Sequence, residues 1–324
     1  MEMKLLITGV KGFLATNMVN YYINNSDYDV LGVVNSTSNK IEERIISNLK
    51  KQNKTFDYVL CNLTNNILLK GILDKESPEL IINCASQSEV AKSFDQPYEF
   101  LKSNIESVFN ILEWLRYART GAKFVQLSTE AVFGQGDYLK HDENSPLQPK
   151  NPYSASKAAA EHYVSAYNSC FGLNTKIVRP VNNFGPYQNP NKLIAKTIIN
   201  CIKNLPFELH KEEKQAKRYW LYVDDTIRAI DYVVRYGRDN VYNVSPDEGL
   251  TTEQAIKKIL AIMKSETMLS GYSETLRKDS EHYFLDNTRI KELGWSPKYS
   301  FEEGIEKTID WFKENNFWYE QLNW

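Results

Sequence analysis

The start of the chain has a pattern that few folds accommodate: a short apolar strand, a glycine-rich turn and a helix. Residues 4–8 (KLLIT) are predicted as the strand, and a helical run to about residue 23 follows the turn at residues 9–15 (GVKGFLA). Glycines let the backbone approach a pyrophosphate closely, and the helix N-terminus adds N–H groups and partial positive charge. Ala15 stands where the pattern often has a third glycine. The pattern predicts a dinucleotide site at the edge of a parallel sheet.

Apolar runs continue to alternate with helical runs beyond this turn. Further strands are predicted at residues 29–34, 57–61, 79–84, 123–127 and 174–179. This order is typical of a Rossmann-type doubly wound parallel sheet of the α/β class.

The alternation weakens from about residue 189. We therefore predict a first domain over residues 1–180 and a smaller, mixed α/β ligand-binding domain over residues 181–324. Part of the second half, about residues 219–245, is expected to return to the first domain.

Charge and cysteine content exclude several functional classes. The net charge is -2, so electrostatic attraction to nucleic acid or to an anionic membrane is not expected. No apolar run approaches the roughly 20 residues of a membrane span, and Met1 leads almost directly into a strand rather than a signal peptide. The 4 cysteines are widely spaced and form no metal-binding pattern. We expect a cytoplasmic protein with reduced thiols and no metal.

Tyr153 and Lys157 form the pair with the clearest chemical meaning. Pro152 and the breaker-poor run after it favour a helix, so the two side chains should lie one turn apart on one face. A phenol with a pKa of about 10 is a poor base at neutral pH, and a nearby ammonium would lower that pKa. The pair predicts a base that takes a proton from an alcohol while hydride leaves the same carbon. On its own, the pair would also fit an ordinary surface helix.

Ser128, Thr129 and Glu130 directly follow the predicted strand at residues 123–127. Ligands of open parallel sheets bind outside the carboxyl ends of the strands, so these side chains are well placed for chemistry. The Thr129 hydroxyl can bond the same substrate oxygen as Tyr153. For Glu130 the alternative is a solvated loop carboxylate. The predicted catalytic residues are Thr129, Glu130, Tyr153 and Lys157.

The strand ends and the glycine-rich turn supply the predicted cofactor-binding residues. Small or polar side chains there would let a dinucleotide lie across the sheet edge. The predicted set is Gly9, Lys11, Gly12, Phe13, Leu14, Asn35, Ser36, Thr37, Asn62, Leu63, Ala85, Ser86, Gln87, Asn104, Ser128, Tyr153, Lys157 and Pro180. Asn104 interrupts the apolar stripe of a helix predicted over residues 97–116, where it either bonds backbone near the site or is a plain surface residue.

The end of the second strand bears on the choice between NAD and NADP. An acidic residue there would hold the adenosine ribose 2′-OH and repel a 2′-phosphate. This chain has the neutral Asn35, Ser36 and Thr37, and Lys11 in the turn can reach the same place. We predict that NADP is favoured over NAD. The alternative is that Lys11 is solvated and Asn35 binds a 2′-OH.

Several motifs together resemble the extended short-chain dehydrogenases/reductases. They are the turn at residues 9–15, Ser128-Thr129, the Tyr153/Lys157 pair, and the stretches 182–187 (NNFGPY), 218–223 (RYWLYV) and 292–295 (ELGW). Their order and spacing cover nearly the whole chain. Within that superfamily the chain is most similar to nucleotide-sugar 4,6-dehydratases of the dTDP-glucose and UDP-N-acetylglucosamine types.

This resemblance implies a bound NAD(P) and an internal hydride transfer. Tyr153 would take the proton of the sugar 4-hydroxyl, Lys157 would hold the cofactor ribose, and Thr129 would bind the same sugar oxygen. The 4-keto group would acidify C5, water would leave from C6, and hydride would return to C6. The implied nucleotide-sugar-binding residues are Ser88, Thr129, Asn182, Asn183, Lys192, Leu193, Phe207, Arg218 and Asn243.

One departure from the family pattern bears on the elimination. The dTDP-glucose enzymes have an Asp-Glu pair after the threonine, acting as acid and base, whereas this chain has Glu130 and Ala131. Ala131 cannot move a proton. Glu130 therefore does both jobs, another group replaces the base, or no elimination occurs. Protonation of C5 from the other face would also make the product a 5-epimer.

Three rival functions remain open. A UDP-hexose 4-epimerase uses the same Thr/Tyr/Lys set and needs no acid at position 130, so Ala131 favours it. A UDP-glucuronate decarboxylase is disfavoured because nothing indicates a carboxylate site. A cofactor-binding sensor without turnover is disfavoured by the intact Thr129, Tyr153 and Lys157.

The resemblance also implies a homodimer. In such proteins the helix over residues 97–116 and the Tyr153 helix pair with their symmetry mates as a four-helix bundle. The sequence itself offers only apolar stripes, which core packing would equally explain.

Overall fold

The computed structural model describes residues 3–35, 56–134, 140–210, 216–265, 269–273 and 284–320, with only the backbone of 207–210 and 269–273. The described strands are β1 (Lys4–Thr8), β2 (Asp29–Val34), β3 (Asp57–Leu60), β4 (Leu80–Asn83), β5 (Lys123–Leu127), β6 (Lys140–His141), β7 (Thr175–Pro180), β8 (Asn182–Phe184), β9 (Phe207–His210), β10 (Lys217–Arg218), β11 (Trp220–Tyr222), β12 (Val241–Val244), β13 (Leu250–Thr251), β14 (Leu269–Ser273) and β15 (Phe284–Leu285). The described α-helices are α1 (Phe13–Asn25), α2 (Asn66–Glu76), α3 (Val90–Asp95), α4 (Pro97–Leu101), α5 (Ser107–Ala118), α6 (Pro152–Phe171), α7 (Leu193–Ile202), α8 (Val223–Tyr236), α9 (Thr252–Met263), α10 (Thr288–Glu292), α11 (Phe301–Glu314) and α12 (Phe317–Glu320).

The main sheet has seven strands in the order β12-β7-β5-β4-β1-β2-β3. Every neighbouring pair from β7 to β3 is parallel. The central strands β1, β4 and β5 are buried on both faces along nearly their whole length, as their largely apolar runs require. The chain order reverses between β1 and β4, where the ligands of such sheets bind. The predicted α/β class with a doubly wound parallel sheet is confirmed.

Helices cover both faces of this sheet. On one face, residues of β1 and β4 form a single apolar cluster with residues of α2, α5 and α6. Leu5 and Ile7 are also buried and point to the other face, because successive side chains of a strand alternate. Helix α1 packs against β1 and β2, and its Tyr21 hydroxyl lies 3.2 Å from Asp231 Oδ2 in α8.

The chain divides into two compact units. Unit 1 comprises Met1–Gly134, Pro146–Arg179 and Ile230–Tyr242, and unit 2 comprises Gln135–Ser145, Pro180–Ala229 and Asn243–Trp324. Ile230–Tyr242 is the part of the second half that belongs to unit 1. The domain boundaries at residue 180 and at about 219–245 stay predictions.

Unit 2 is built from short strand pairs and helices. Its pairs are β10 with β13, β11 with β8, β14 with β9, and β15 with β6. Asp225 near the start of α8 is fully buried and accepts the backbone N–H groups of Lys298 at 2.8 Å and Tyr299 at 3.1 Å. The same carboxylate forms an ion pair with Arg228 at 2.7 Å. Asp225 therefore links α8 to the segment that precedes α11.

The helix predicted over residues 97–116 is interrupted. Helix α4 ends at Leu101, a π-helical turn occupies Lys102–Glu106, and α5 follows. The extra residue of a π turn rotates the helix face, and such turns are frequent at functional sites. Here it places Asn104 inside, with 1% of its surface exposed.

Two negative findings hold for the part of the chain that the structure describes. None of its helices is long and apolar enough to cross a bilayer. None of its groups of three or more His, Cys, Asp or Glu side chains could hold a metal ion.

Candidate active site

The glycine-rich turn is shaped by a close approach of backbones in unit 1. Gly9 has φ +70°, and a Cβ there would lie 2.7 Å from the Cα of Ala85 at the end of β4. The N–H of Gly12 donates to the Gly9 carbonyl at 2.7 Å, and α1 begins at Phe13. Gly12 has no side chain with which to cap the helix, and the first turn of α1 carries no acidic residue. The turn thus presents a helix N-terminus suited to a phosphate.

A dinucleotide fits the residues that surround this turn. Ser128, at the carboxyl end of β5, has a buried hydroxyl with no hydrogen-bond partner among the described residues. A buried polar atom normally has such a partner, and a ligand at the sheet edge would supply one. Phe13 and Leu14, at the start of α1, would hold the diphosphate through their backbone N–H groups, and Gly9 and Gly12 would let it approach the turn closely.

Thr129, Glu130 and Tyr153 come together at the end of β5. Thr129 caps a 3-10 turn, Glu130–Phe133, and its side-chain oxygen accepts the Ala131 N–H at 3.3 Å. The Thr129 hydroxyl also hydrogen-bonds Tyr153, and the charge of Glu130 acts on the same phenol. Glu130 is only 4% exposed, so it is not a solvated loop carboxylate.

Helix α6 carries Tyr153 and Lys157 one turn apart, as predicted. Asn151 caps the helix in a reciprocal pair with Ser154, Pro152 occupies the first turn, and Gly172 ends the helix with φ 67°. The cap fixes the helix start two residues before Tyr153. The ring of Phe100 packs edge-on against the Tyr153 ring, with centroids 6.3 Å apart.

The prediction that Lys157 lowers the pKa of Tyr153 is wrong for the protein chain by itself. Burial raises the pKa of Tyr153 to about 12; the hydrogen bond with Thr129 acts downward and the charge of Glu130 acts upward. The ammonium of Lys157 is engaged elsewhere, because its Nζ donates to the Leu127 carbonyl at 2.6 Å. Desolvation of the phenolate therefore outweighs the effect that spacing along the helix suggested.

Lys157 is 4% exposed. Burial lowers its pKa to about 8, against the opposing charges of Glu161 and Cys84. The lysine thus changes protonation near neutral pH, which an exposed lysine does not do.

A buried ion pair that the sequence pattern did not predict lies one further turn along α6. Arg179 Nη2 lies 2.6 Å from Glu161 Oε2, and the two side chains are 5% and 2% exposed. The Arg179 guanidinium also stacks on Phe133, with 4.9 Å to the ring centroid. One pair thereby joins the Lys157 helix to the turn that carries Glu130. The sequence signal for this ion pair is one charged residue within each of two otherwise apolar segments.

Asn104 bonds backbone near the site rather than facing solvent. Its Oδ1 accepts the Gln87 N–H at 2.8 Å, and its Nδ2 donates to the Gln87 carbonyl at 3.0 Å and to Ser156 Oγ at 2.8 Å. Ser156 in turn donates to the Tyr153 carbonyl at 2.7 Å. Asn104 therefore positions the strand-end loop and helix α6.

The other predicted cofactor-binding residues differ in their solvent exposure. Lys11, Ala85 and Ser86 are half-buried, Leu63 and Pro180 are buried, and Asn35, Asn62 and Gln87 are exposed. The Asn62 side chain accepts the Thr64 N–H at 3.1 Å, so it folds over its own turn. Ser36 and Thr37 lie outside the described residues.

Among the predicted substrate residues, only Ser88 and Thr129 belong to unit 1, and Ser88 is exposed. The Asn183 amide is engaged within unit 2: it accepts from the Thr226 hydroxyl and donates to the Val181 carbonyl at 2.8 Å. Asn243 is fully buried, and its Nδ2 donates to the His141 carbonyl at 3.1 Å.

The remaining predicted substrate residues also belong to unit 2. Asn182 and Arg218 are half-buried, and Lys192 is the residue before α7, which opens at Leu193. The Phe207 side chain lies outside the described residues. Binding of a sugar nucleotide by this set stays a prediction.

Comparison with known proteins decides the family. The family model for GDP-mannose 4,6-dehydratase matches residues 6–308. The chain belongs to the GDP-mannose 4,6-dehydratase family. This confirms the resemblance to the nucleotide-sugar dehydratases among the extended short-chain dehydrogenases/reductases.

Relatives of this family match over most of the chain. A dTDP-glucose 4,6-dehydratase of Escherichia coli is 30% identical, with 99% of this chain and 96% of the relative covered. A trifunctional UDP-glucose 4,6-dehydratase/3,5-epimerase/reductase of Arabidopsis thaliana is 32% identical over 97% of this chain but only 48% of its own length. The chain thus spans about half the length of the plant relatives.

Solved structures of the same fold include two activities. A dTDP-glucose 4,6-dehydratase from Streptomyces venezuelae, solved with NAD, has a TM-score of 0.88 and 28% identity, covering 99% of this chain and all of that one. A UDP-glucose 4-epimerase from Thermotoga maritima, solved with UDP-glucose, has a TM-score of 0.88 and 27% identity, covering 97% of this chain and all of that one. The shared backbone therefore does not separate dehydratase members of the fold from epimerases.

Proposed function

We propose that this chain is an NAD(P)-dependent nucleotide-sugar 4,6-dehydratase that converts a UDP- or dTDP-hexose to its 4-keto-6-deoxy derivative. The observation that carries the proposal is the hydrogen-bonded Thr129–Tyr153 pair above a dinucleotide turn, with the nearly buried Glu130 beside it. Full-length similarity to dTDP-glucose 4,6-dehydratases supports the choice of reaction.

Each candidate catalytic residue has its own role in the proposed reaction. Tyr153 takes the proton of the sugar 4-hydroxyl, and Thr129 orients that oxygen. A nicotinamide held at the dinucleotide turn would supply the hydride chemistry, taking hydride from C4 and giving it back at C6. Lys157 holds the cofactor ribose. Glu130 removes the C5 proton and passes it to the departing C6 hydroxyl, which leaves as water, so that one carboxylate serves both steps. A proton from solvent then returns to C5 when hydride has reached C6.

Mass spectrometry of the products identifies donor and reaction together. The chain is incubated separately with UDP-glucose, UDP-N-acetylglucosamine and dTDP-glucose. We expect one of them to lose one water, about 18 mass units. Unchanged masses with all three donors would contradict the proposal.

A UDP-hexose 4-epimerase is the second candidate, favoured by Ala131, which cannot supply the second proton-transfer group. Glu130→Gln separates the two functions. For a dehydratase we expect product formation to fall by about 10² to 10³-fold, because the proton shuttle is gone. An epimerase needs no acid at this position and would keep its rate. Turnover is followed by mass spectrometry for the 4-keto product and by NMR for the C4 and C5 configurations.

Cofactor preference is a separate proposal. Lys11 in the turn and the neutral Asn35 support NADP, whereas the solved dehydratase relatives hold NAD. We expect Lys11→Ala to weaken binding of NADP and to leave binding of NAD within about twofold, because only NADP carries the 2′-phosphate. Calorimetric titration of both cofactors measures this. A wild-type chain that clearly prefers NAD would overturn the NADP preference.

Homodimerisation through the α4–α6 region is also proposed. Large apolar side chains are exposed there in the single chain, including Tyr98 at 65%, Leu101 at 50% and Phe109 at 38%. Several large apolar side chains exposed on neighbouring helical turns support an interface at this place. Sedimentation of the wild type as a monomer at micromolar concentration would contradict this proposal.

A further inference from the structure

Three buried polar side chains form a row across the middle of the main sheet, and the reaction described above does not use them. Thr8, Asn83 and Gln126 are register partners on β1, β4 and β5. Their exposed fractions are 0%, 0% and 1%. Such positions in a parallel sheet are normally apolar, and a buried polar group costs free energy unless it is hydrogen-bonded.

The row is joined by hydrogen bonds from one strand to the next. The Thr8 hydroxyl donates to Asn83 Oδ1 at 2.5 Å, and Asn83 Nδ2 donates to Gln126 Oε1 at 2.8 Å. Gln126 Nε2 then donates to the Leu127 carbonyl at 2.8 Å. Each amide both accepts and donates, so its orientation is set by its neighbours on both sides.

Both ends of the row meet the candidate active site. At one end the Ala85 N–H donates to Thr8 Oγ1 at 3.1 Å, and a Cβ on Gly9 would lie 2.7 Å from the Ala85 Cα. At the other end the Leu127 carbonyl that Gln126 holds also accepts from Lys157 Nζ, at 2.6 Å. One line of bonds therefore runs from the dinucleotide turn to the candidate catalytic lysine.

We propose that Asn83 and Gln126 are positioning residues that fix the Leu127 carbonyl, and through it Lys157, relative to the dinucleotide turn. The role assigned to Lys157 rests on the proposed function. An apolar side chain at either position would fill the space but leave the carbonyl free to tilt. A shift of about 1 Å in a catalytic group costs up to about 10²-fold in rate.

The test compares Asn83→Leu, Gln126→Met and the double variant. Each single change leaves one buried amide group without its hydrogen-bond partner, whereas the double change removes both amides. We therefore expect the double variant to be at least as stable as Asn83→Leu. We expect all three to bind NAD about tenfold more weakly and to lose about tenfold in kcat, with the KM for the nucleotide sugar within about twofold. A double variant with wild-type kcat and NAD affinity would overturn the proposal and leave the row a purely structural feature.

A second comparison shows whether the effect acts through Lys157. In a Lys157→Met background, Gln126→Met should weaken NAD binding no further, because the group that it positions is absent. A further tenfold loss in that background would contradict the proposal. NAD affinity is measured without any sugar, so this comparison does not depend on turnover. A wild type that is inactive on every donor would contradict the proposed function, but the NAD affinities of the variants would still test the positioning role of Gln126.

Discussion

Tyr153→Phe is expected to lower kcat by about 10³-fold while leaving the fold and NAD affinity nearly unchanged, because only the proton acceptor for the sugar hydroxyl is removed. The phenol hydroxyl bonds Thr129, and loss of one such bond costs about 1 kcal/mol of unfolding free energy. The activity is followed by release of the 4-keto product, and binding by calorimetry.

Tyr163→Phe is the matched control, since Tyr163 lies on the same helix but is 42% exposed and packs against Phe109. It removes an equal group from outside the site and should keep wild-type turnover. Equal activity of Tyr153→Phe and the wild type would leave the chain a cofactor-binding protein whose chemistry, if any, uses another base.

Arg179→Met is expected to be the most destabilising of the single changes considered. It leaves the Glu161 carboxylate 2% exposed and without its buried counter-ion, and breaking one side of such a pair costs about 3–5 kcal/mol. The guanidinium also packs on Phe133, so the turn that carries Glu130 loses support. The midpoint of urea unfolding, followed by circular dichroism, measures the loss.

Two further variants show whether the charge is the cause. The double change Glu161→Gln with Arg179→Met removes both charges and should recover much of the stability. Lys257→Met breaks the pair with Glu253, in which Lys257 is 71% exposed, and should change the unfolding free energy by less than about 0.5 kcal/mol. A similar small effect for Arg179→Met would show that the buried pair adds nothing to stability.

The local pattern of apolar and polar residues was sufficient to predict much of the fold. β1, β2 and β5 lie where the apolar runs predicted them, because a strand buried on both faces needs such a run. The start of α6 follows from Pro152 and its neighbours, which set the cap. The helix over residues 97–116 was predicted without its π turn, since one extra residue shifts the apolar stripe too little to be seen in a single sequence.

The site was harder to predict where it depends on burial and on strand register. The spacing of Tyr153 and Lys157 correctly placed them on one helix, but it did not reveal that desolvation raises the phenol pKa or that Lys157 bonds Leu127. Asn83 ends the apolar run of β4 and Gln126 interrupts that of β5, yet only the register of β4 with β5 shows that they are partners. The Glu161–Arg179 pair likewise joins elements that sequence analysis treats separately.

We propose that Tyr153 begins an oxidation at C4 that is reversed at C6 within the same sugar. The most direct measurement uses the accepted nucleotide sugar carrying deuterium at C4, with mass spectrometry and deuterium NMR of the product. We expect a product that has lost one water and carries the deuterium at C6. Deuterium that remains at C4 in a sugar of unchanged mass, or that is lost to solvent, would contradict it.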